Sequence, residues 1–277
     1  MLNVNDHSRD SAGMKYVYPV ISRRAGGVSV GINLNTNNAC NWACIYCQVP
    51  NLKRGAPPKV DLQLLEAELR QFLHAATSGD FLEKNAPQGS RRVVDVAFSG
   101  NGEPTSTHEF AETVAIAGRV LDDFGLSGSV RLRVITNGSL MHRPGVRRGI
   151  ALIGELGGEV WFKIDRGTTE GISLVNGVST TPDKILKAVS ICAALAPTWI
   201  QSCFFTIDGL PIAEDEFTAY LQLISSIATR VEGVHLYGMA RPSQQPEANR
   251  LSALSAESLS LFAKRIAALG LTVVENP

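Results

Sequence analysis

An α/β fold built on a parallel sheet is what this sequence predicts, and three observations carry the prediction. Runs rich in β-branched residues alternate six times with runs whose apolar residues recur at helical spacing. A strand returns parallel to its predecessor only through a crossover, and these helical runs supply it. The segment after each strand-like run is polar or rich in Gly and Pro, so one rim of the sheet collects the functional groups. A length of 277 residues, 44% of them hydrophobic, suffices for one barrel-sized domain with a sizeable core.

Each element follows from its residues. The polar stretch 1–27 reads as a loose N-terminal extension, and 28–277 as one domain. "VSVGINLN" at 28–35 is a strand by its β-branched content. "DLQLLEAELRQFLHAA" at 61–76 sets Leu62, Leu65, Leu69, Phe72 and Leu73 at helical spacing, with Asp61 as N-cap. "VVDVAF" at 93–98 is a strand, and the helix after it runs through Phe110, Val114, Ala117, Leu121 and Phe124 to stop at Gly125. "VRLRVI" (130–135) and "EVWFKI" (159–164) are strands separated by a helix over about 144–156. Thr181 caps a helix whose first residue is Pro182. Strands at 199–207 and 234–239, with helices at 214–230 and 256–269, complete the six units. Such a sheet closes either as a flat doubly wound sheet or as a curved, incomplete barrel. In both, the chemistry sits at the carboxyl ends of the strands.

Lys plus Arg and Asp plus Glu both number 26, so no basic excess marks a nucleic-acid binder. The pairs Arg23–Arg24, Lys53–Arg54, Arg91–Arg92 and Arg147–Arg148 read as solvated surface rather than a phosphate-binding face. No apolar run is long enough to cross a bilayer, and the first residues lack a signal-peptide core. The expected compartment is the cytoplasm, with no membrane partner.

Five cysteines, three of them within eight residues, suit a metal or catalytic site rather than a disulfide framework. Cys40, Cys44 and Cys47 stand in C-x3-C-x2-C spacing within "ACNWACIYCQVP", on the loop after the first strand. A [4Fe-4S] cube has four irons; three thiolates would hold three corners and leave one open to an outside ligand. Three cysteines with a remote histidine also suit a structural zinc site. A redox-sensing or RNA-docking iron–sulfur protein without turnover is a third reading. His74 and His108 are distant in sequence, while Cys192 falls in a helix and Cys203 in a strand, where both read as buried core.

The cysteine spacing, with Tyr46 just before the last cysteine, resembles the signature of the radical S-adenosylmethionine (radical SAM) enzymes. "GNGEP", Gly100 to Pro104, resembles that family's GGEP segment, with Asn101 in place of a glycine. "FSGNGEPT", "ITNGSL", "IDRGTTE" and "ARP" resemble a subgroup of small single-cluster proteins related to the tRNA wyosine-base synthases, over roughly residues 28–245. The resemblance implies a partial (β/α)6 TIM-type barrel with parallel strands. It implies a catalytic [4Fe-4S] cluster on Cys40, Cys44 and Cys47, with S-adenosyl-L-methionine chelated at the open iron. Reductive cleavage of that cofactor would give methionine and a 5′-deoxyadenosyl radical that takes hydrogen from a substrate, a small molecule or a tRNA base. No flavin or ferredoxin module fits the remaining length, so an external low-potential reductant such as flavodoxin or ferredoxin is implied.

Carried onto this chain, the resemblance sets main-chain groups around Tyr46 at the adenine edge. Backbone carbonyls of Gly100, Asn101, Gly102 and Pro104, with Glu103, would receive the cofactor's ammonium group. Glycines there permit close backbone approach, and Asn tolerates unusual backbone angles. Asn137, Lys163 and Asp165 are candidates for the ribose hydroxyls and the methionine carboxylate. Lys163 and Asp165, two apart on one strand, can face the same side of the sheet and read equally as an ion pair. Met239 and Ala240 read as packing on adenine or as core, His235 as packed, and Asp208 and Arg241 as rim residues near substrate.

Overall fold

The computed structural model describes residue 2, residues 13–22 and residues 26–277. The Arg23–Arg24 pair and most of the first twelve residues lie outside the described residues. Strand β1 (Val17–Ser22) pairs antiparallel with β2 (Gly27–Ile32). Two short strands, β3 (Ala39–Cys40) and β4 (Lys53–Arg54), pair with each other beside the cysteine loop. Strands β5 (Val93–Phe98), β6 (Arg131–Thr136), β7 (Glu159–Lys163) and β8 (Thr198–Cys203) continue the sheet. The short β9 (Phe205–Ile207) precedes β10 (Gly233–Tyr237), and the short β11 (Leu251–Ala253) precedes β12 (Val273–Asn276). The main sheet runs β1-β2-β5-β6-β7-β8-β10-β12, parallel from β2 onward, and is curled into a half-barrel. The expected partial barrel is the observed one.

The helices are α1 (Leu62–Thr77), α2 (Phe81–Asn85), α3 (Phe110–Asp123), α4 (Pro144–Glu155), α5 (Thr169–Asn176), α6 (Pro182–Ala193), α7 (Glu214–Ser225) and α8 (Ala256–Ala267). Asp61 caps α1 by accepting from the Leu64 N–H at 3.0 Å, and Thr181 caps α6 with Pro182 at its first position, both as the sequence predicts. No helix among the described residues is long and apolar enough to cross a membrane.

Alternation along the strands divides the side chains into two sets. Val96, Phe98, Val134, Val160, Phe162, Ile200, Val234 and Leu236 belong to the main hydrophobic core with the helices. Each such large side chain contributes about 1.5–3 kcal/mol when fully buried. The other set points to the concave face: Asp95, Ala97, Arg133, Ile135, Trp161, Lys163, Gln201, Cys203 and Tyr237 line one cavity there. One face of the sheet makes the core and the other makes the site.

Besides short added elements such as α2 and α5, the structure departs from the expected ones at both ends of the sheet and within two predicted segments. β1 lies inside the stretch read as a loose extension; its Pro19 sits on an edge strand, where a missing N–H is tolerated. β12 is four residues long and closes the far edge. The strand expected at 199–207 breaks at Phe204, beyond which β9 pairs with β11 instead. The helix expected at 214–230 stops as an α-helix at Ser225.

Candidate functional site

Cys40, Cys44 and Cys47 face one cavity of about 380 Å³ at the carboxyl ends of the strands. None of the three is in a disulfide, and all are half-buried. The loop that carries them is tied on several sides. The N–H groups of Ala43 and Ile45 donate to the carbonyls of Asn176 and Val175 at the end of α5, at 3.1 and 2.9 Å. The Ser243 hydroxyl donates to the Ile45 carbonyl at 2.6 Å, and the Gln244 N–H to the Cys47 carbonyl at 2.9 Å. The Arg54 guanidinium donates to the carbonyls of Asn41, at 2.6 Å, and Gly177. A run of asparagines around Cys40 adds side-chain bonds: Asn35 Nδ2 to the Ala39 carbonyl at 2.8 Å, Asn37 Nδ2 to the Ala56 carbonyl at 3.0 Å and Asn38 Nδ2 to the Pro50 carbonyl at 3.0 Å.

Burial pushes the Cys40 thiol up to about 11 and the Cys44 thiol up to about 12. Both start protonated at neutral pH, so metal binding displaces their protons. Two donors favour the thiolates: the Trp42 N–H lies 3.4 Å from Cys40 Sγ and Asn176 Nδ2 lies 3.3 Å from Cys44 Sγ. No group of three or more His, Cys, Asp or Glu among the described residues could hold a single metal ion. A cubane makes no demand that three side chains meet at one atom, because each of its irons takes its own thiolate. Three thiols on one loop, facing one cavity, fit that donor pattern.

The GNGEP segment packs directly against this loop. A Cβ on Gly102 would sit 2.2 Å from the Ala39 carbonyl oxygen, so only glycine lets the two segments touch. Gly100 holds φ +126°, and a Cβ there would meet Asn33 at 2.6 Å. The expectation was an approach to cofactor; the contacts found are with the cysteine loop and the end of β2. Asn101, where the family pattern has glycine, donates from Nδ2 to Asn38 Oδ1 at 2.7 Å, and its N–H donates to Asn33 Oδ1 at 3.1 Å. Glu103 is buried and accepts from the Asn137 N–H at 2.7 Å, the Thr136 hydroxyl at 2.6 Å and the N–H and hydroxyl of Thr105. Burial pushes its carboxyl above the usual range, against these bonds. Gly100, Gly102 and Glu103 line the cavity, whereas Asn101 and Pro104 stand behind them.

Lys163 and Asp165 form the ion pair that their spacing allowed, at 3.7 Å. Lys163 Nζ also donates to the Tyr237 hydroxyl at 2.5 Å. Burial works against its charge, but Asp165 and Tyr237 outweigh that and raise its pKa. Lys163 lines the cavity; Asp165 does not. Both oxygens of Asp165 are taken within the protein, by the Cys203 N–H at 2.9 Å, the Tyr46 hydroxyl at 2.6 Å and Asn176 Nδ2 at 2.8 Å. Of the two readings open to Asp165, these contacts are those of the structural one: it fastens the loop. Asn137 lines the cavity and donates from Nδ2 to Asn41 Oδ1 at 2.9 Å.

Other candidates separate cleanly. Cys203, Met239, Ala240 and Arg241 line the cavity; Arg241 Nε donates to Gln48 Oε1 at 2.9 Å. Asp208 pairs with Arg250 on the surface, away from the cavity. His235 is packed between Trp161 and Trp199, with ring centroids 4.5 and 4.7 Å away, and Cys192 is buried in the core. Sequence reasoning missed Asn176 and Tyr237, and the only signal near the first would have been the "VNGV" end of a short helix.

No protein-family description matches the chain. Among curated proteins, GTPase Obg of Brachyspira hyodysenteriae is 25% identical over 179 residues, which is 64% of this chain but 22% of that protein. The chain thus spans about a fifth of that relative's length, and it contains no Gly-Lys pair from which a G-x4-G-K-[ST] phosphate loop could be built. Solved structures are more informative. A radical SAM methyltransferase from Sphaerobacter thermophilus superposes with a TM-score of 0.60 at 12% identity, covering 94% of this chain and 68% of that one. The fold is that of the radical SAM enzymes. Archaeal TYW1, a wyosine synthase, matches with a TM-score of 0.52 at 14% identity over 95% of this chain and 77% of that one. The protein anSMEcpe, solved with bound AdoMet, matches with 0.54 at 16% identity over 88% and 63%.

Proposed function

We propose that this chain is a radical SAM enzyme that works through a [4Fe-4S] cluster on Cys40, Cys44 and Cys47. The observation that carries this reading is the placement of three thiols from one short loop on the cavity at the carboxyl rim of the half-barrel. When bound, cluster and S-adenosylmethionine supply a reductive cleavage and hydrogen abstraction that no side chain performs. The chain's own part is to bind, orient and shield. The three thiols would hold three irons of the cluster, and the remaining iron would be open to the cofactor. The backbone of Gly100, Gly102 and Glu103 faces the same space and offers carbonyl acceptors to an ammonium group. Lys163, kept charged by Asp165 and Tyr237, offers a cation to an anionic or hydroxyl group from the opposite wall. Trp161, Ile135 and Met239 supply apolar wall that keeps water out.

A fold hosts many reactions, and the similar structures include a methyltransferase and a wyosine synthase. The substrate is therefore stated as a class, a small molecule or a tRNA base. The electron comes from an external low-potential donor such as flavodoxin or ferredoxin. A cytoplasmic setting, where thiols stay reduced, suits five cysteines that form no disulfide.

The test is anaerobic reconstitution with iron and sulfide, then reduction with dithionite in the presence of S-adenosylmethionine. The expected products are 5′-deoxyadenosine and methionine, both absent with Cys44→Ala. A wild-type protein with full iron content that forms neither would contradict the reading.

A further inference from the structure

A second cavity, of about 290 Å³, opens at the amino ends of the strands, away from the cysteine rim. Arg92 and Val93 line it from the start of β5, and Gly128, Ser129, Arg131 and Arg133 from the start of β6. Asp95 and Arg131 are register partners, and Arg92 and Gly128 each lie three residues ahead of them. The two chains therefore flank one gap just before their pairing begins. Three guanidinium groups converge on this gap, and no carboxylate among the described residues lines it.

Two of the three have counter-ions behind them. Arg133 gives Nε to Glu159, at 2.6 Å, and Nη1 to Asp95, while Arg131 gives Nη1 to Glu159 at 3.0 Å. Both carboxylates are buried, and between them they balance two cations. The guanidinium of Arg92 makes no hydrogen bond or ion pair with any described residue, so one positive charge is left over. Nη2 of Arg131, Nη2 of Arg133 and the Gly128 N–H also have no hydrogen-bond partner among the described residues. The pair Arg91–Arg92, read from sequence as solvated surface, divides here. Arg91 Nε donates to the Ala86 carbonyl at 3.2 Å, whereas Arg92 runs along Gly26 and Gly27 and lines the cavity. A recess lined by one sign of charge focuses its field and gathers counter-ions. Guanidinium groups match the oxygens of a phosphate-class ion in geometry as well as charge.

We propose that this cavity is a binding site for a phosphate-class oxyanion. Arg92 supplies the uncompensated charge, Arg131 and Arg133 each offer Nη2, and the Gly128 N–H completes the donor set. Among the described residues, Arg133 alone also lines the cysteine cavity, where its guanidinium lies 5.0 Å from the Trp161 ring. An anion that draws on Arg133 therefore alters the surroundings of Trp161. The site stands independently of the cluster chemistry proposed above.

The experiment titrates inorganic phosphate into the anaerobically reconstituted protein by isothermal titration calorimetry, at constant ionic strength set with chloride. One saturable site is expected. Arg92→Ala should weaken it by about tenfold or more, the worth of one charge-assisted bond. Arg92→Lys, which keeps the charge without the planar fork, should weaken it less. Arg92 is exposed, so both variants should fold; circular dichroism and iron content check this, and Arg92→Gln replaces either that does not. Tryptophan emission should change with the same midpoint in the wild type and stay constant in Trp161→Phe. No saturable binding, or binding that Arg92→Ala leaves intact, overturns the site. Emission that never responds to bound phosphate overturns the part given to Arg133. Phenyl phosphate binding at least as tightly as inorganic phosphate assigns the site to a phosphorylated small molecule, and weaker binding assigns it to the free ion.

Discussion

The hydroxyl of Tyr46 donates to Oδ2 of Asp165 at 2.6 Å, joining the cysteine loop to the end of β7 across 119 positions of sequence. The same oxygen accepts from Asn176, and the other carboxylate oxygen faces Lys163 and the Cys203 N–H. One buried carboxylate thus holds the loop, α5, β7 and β8 in register. Charge-assisted bonds of this kind are about twice as strong as neutral ones, which is why a single Asp can serve as the hub.

Removing that charge should be costly. Asp165→Asn leaves Lys163 buried without its counter-ion, and the expected loss is about 3–5 kcal/mol in urea unfolding. Tyr46→Phe removes one bond to a charged acceptor and should cost about 1.5–3 kcal/mol. A Tyr46→Phe loss larger than that of Asp165→Asn would show that the hydroxyl does something beyond holding Asp165.

Asn101 is the departure from the family pattern, and its side chain has a partner in Asn38. Asn101→Gly, which restores the pattern, should therefore destabilise the protein, by about 1–2 kcal/mol from the lost bond and added backbone freedom. Iron content after reconstitution should fall with it. Unchanged thermal unfolding and iron content would show that the asparagine is neutral.

Asn176 points an N–H at Cys44 Sγ. Hydrogen bonds to ligand sulfurs ease reduction, so Asn176→Leu should shift the cluster midpoint potential to more negative values at unchanged iron content. A redox titration followed by electron paramagnetic resonance reads this directly. No shift, or a positive one, would refute it.

The raised thiols of Cys40 and Cys44 set a pH dependence in the iron-free protein. In the unfolded chain they ionise near the ordinary value of 9.0, and in the folded one only near 11 and 12. The stability they contribute is complete below pH 9.0 and is lost as pH rises toward those values. Urea midpoints measured from pH 7 to 11 should fall above 9, and Cys44→Ala should flatten the fall. At pH 8, alkylation of Cys44 by iodoacetamide should run roughly 100-fold or more slower than that of a free thiol.

Much of this architecture was legible because its signals are local. Six strand-helix alternations, the Asp61 and Thr181 caps and the clustered cysteines all depend on neighbours in sequence. β1 was not legible, since its pairing with β2 is a hairpin outside the β-α rhythm and Pro19 interrupts its pattern. The pairing of Lys163 with Asp165 could be read from their spacing, but not the choice between ion pair and ligand. That choice depends on Tyr46 and Asn176, which arrive from distant parts of the chain.

The most direct measurement is electron–nuclear double resonance on the reduced, reconstituted protein with S-adenosylmethionine labelled at its amino nitrogen and carboxylate oxygen. A cluster held by Cys40, Cys44 and Cys47 alone should show hyperfine coupling from both labels, and Cys203→Ala should leave the spectrum unchanged. A cluster with no coupling to either label, or one lost when Cys203 is replaced, would mean that the fourth iron is already taken.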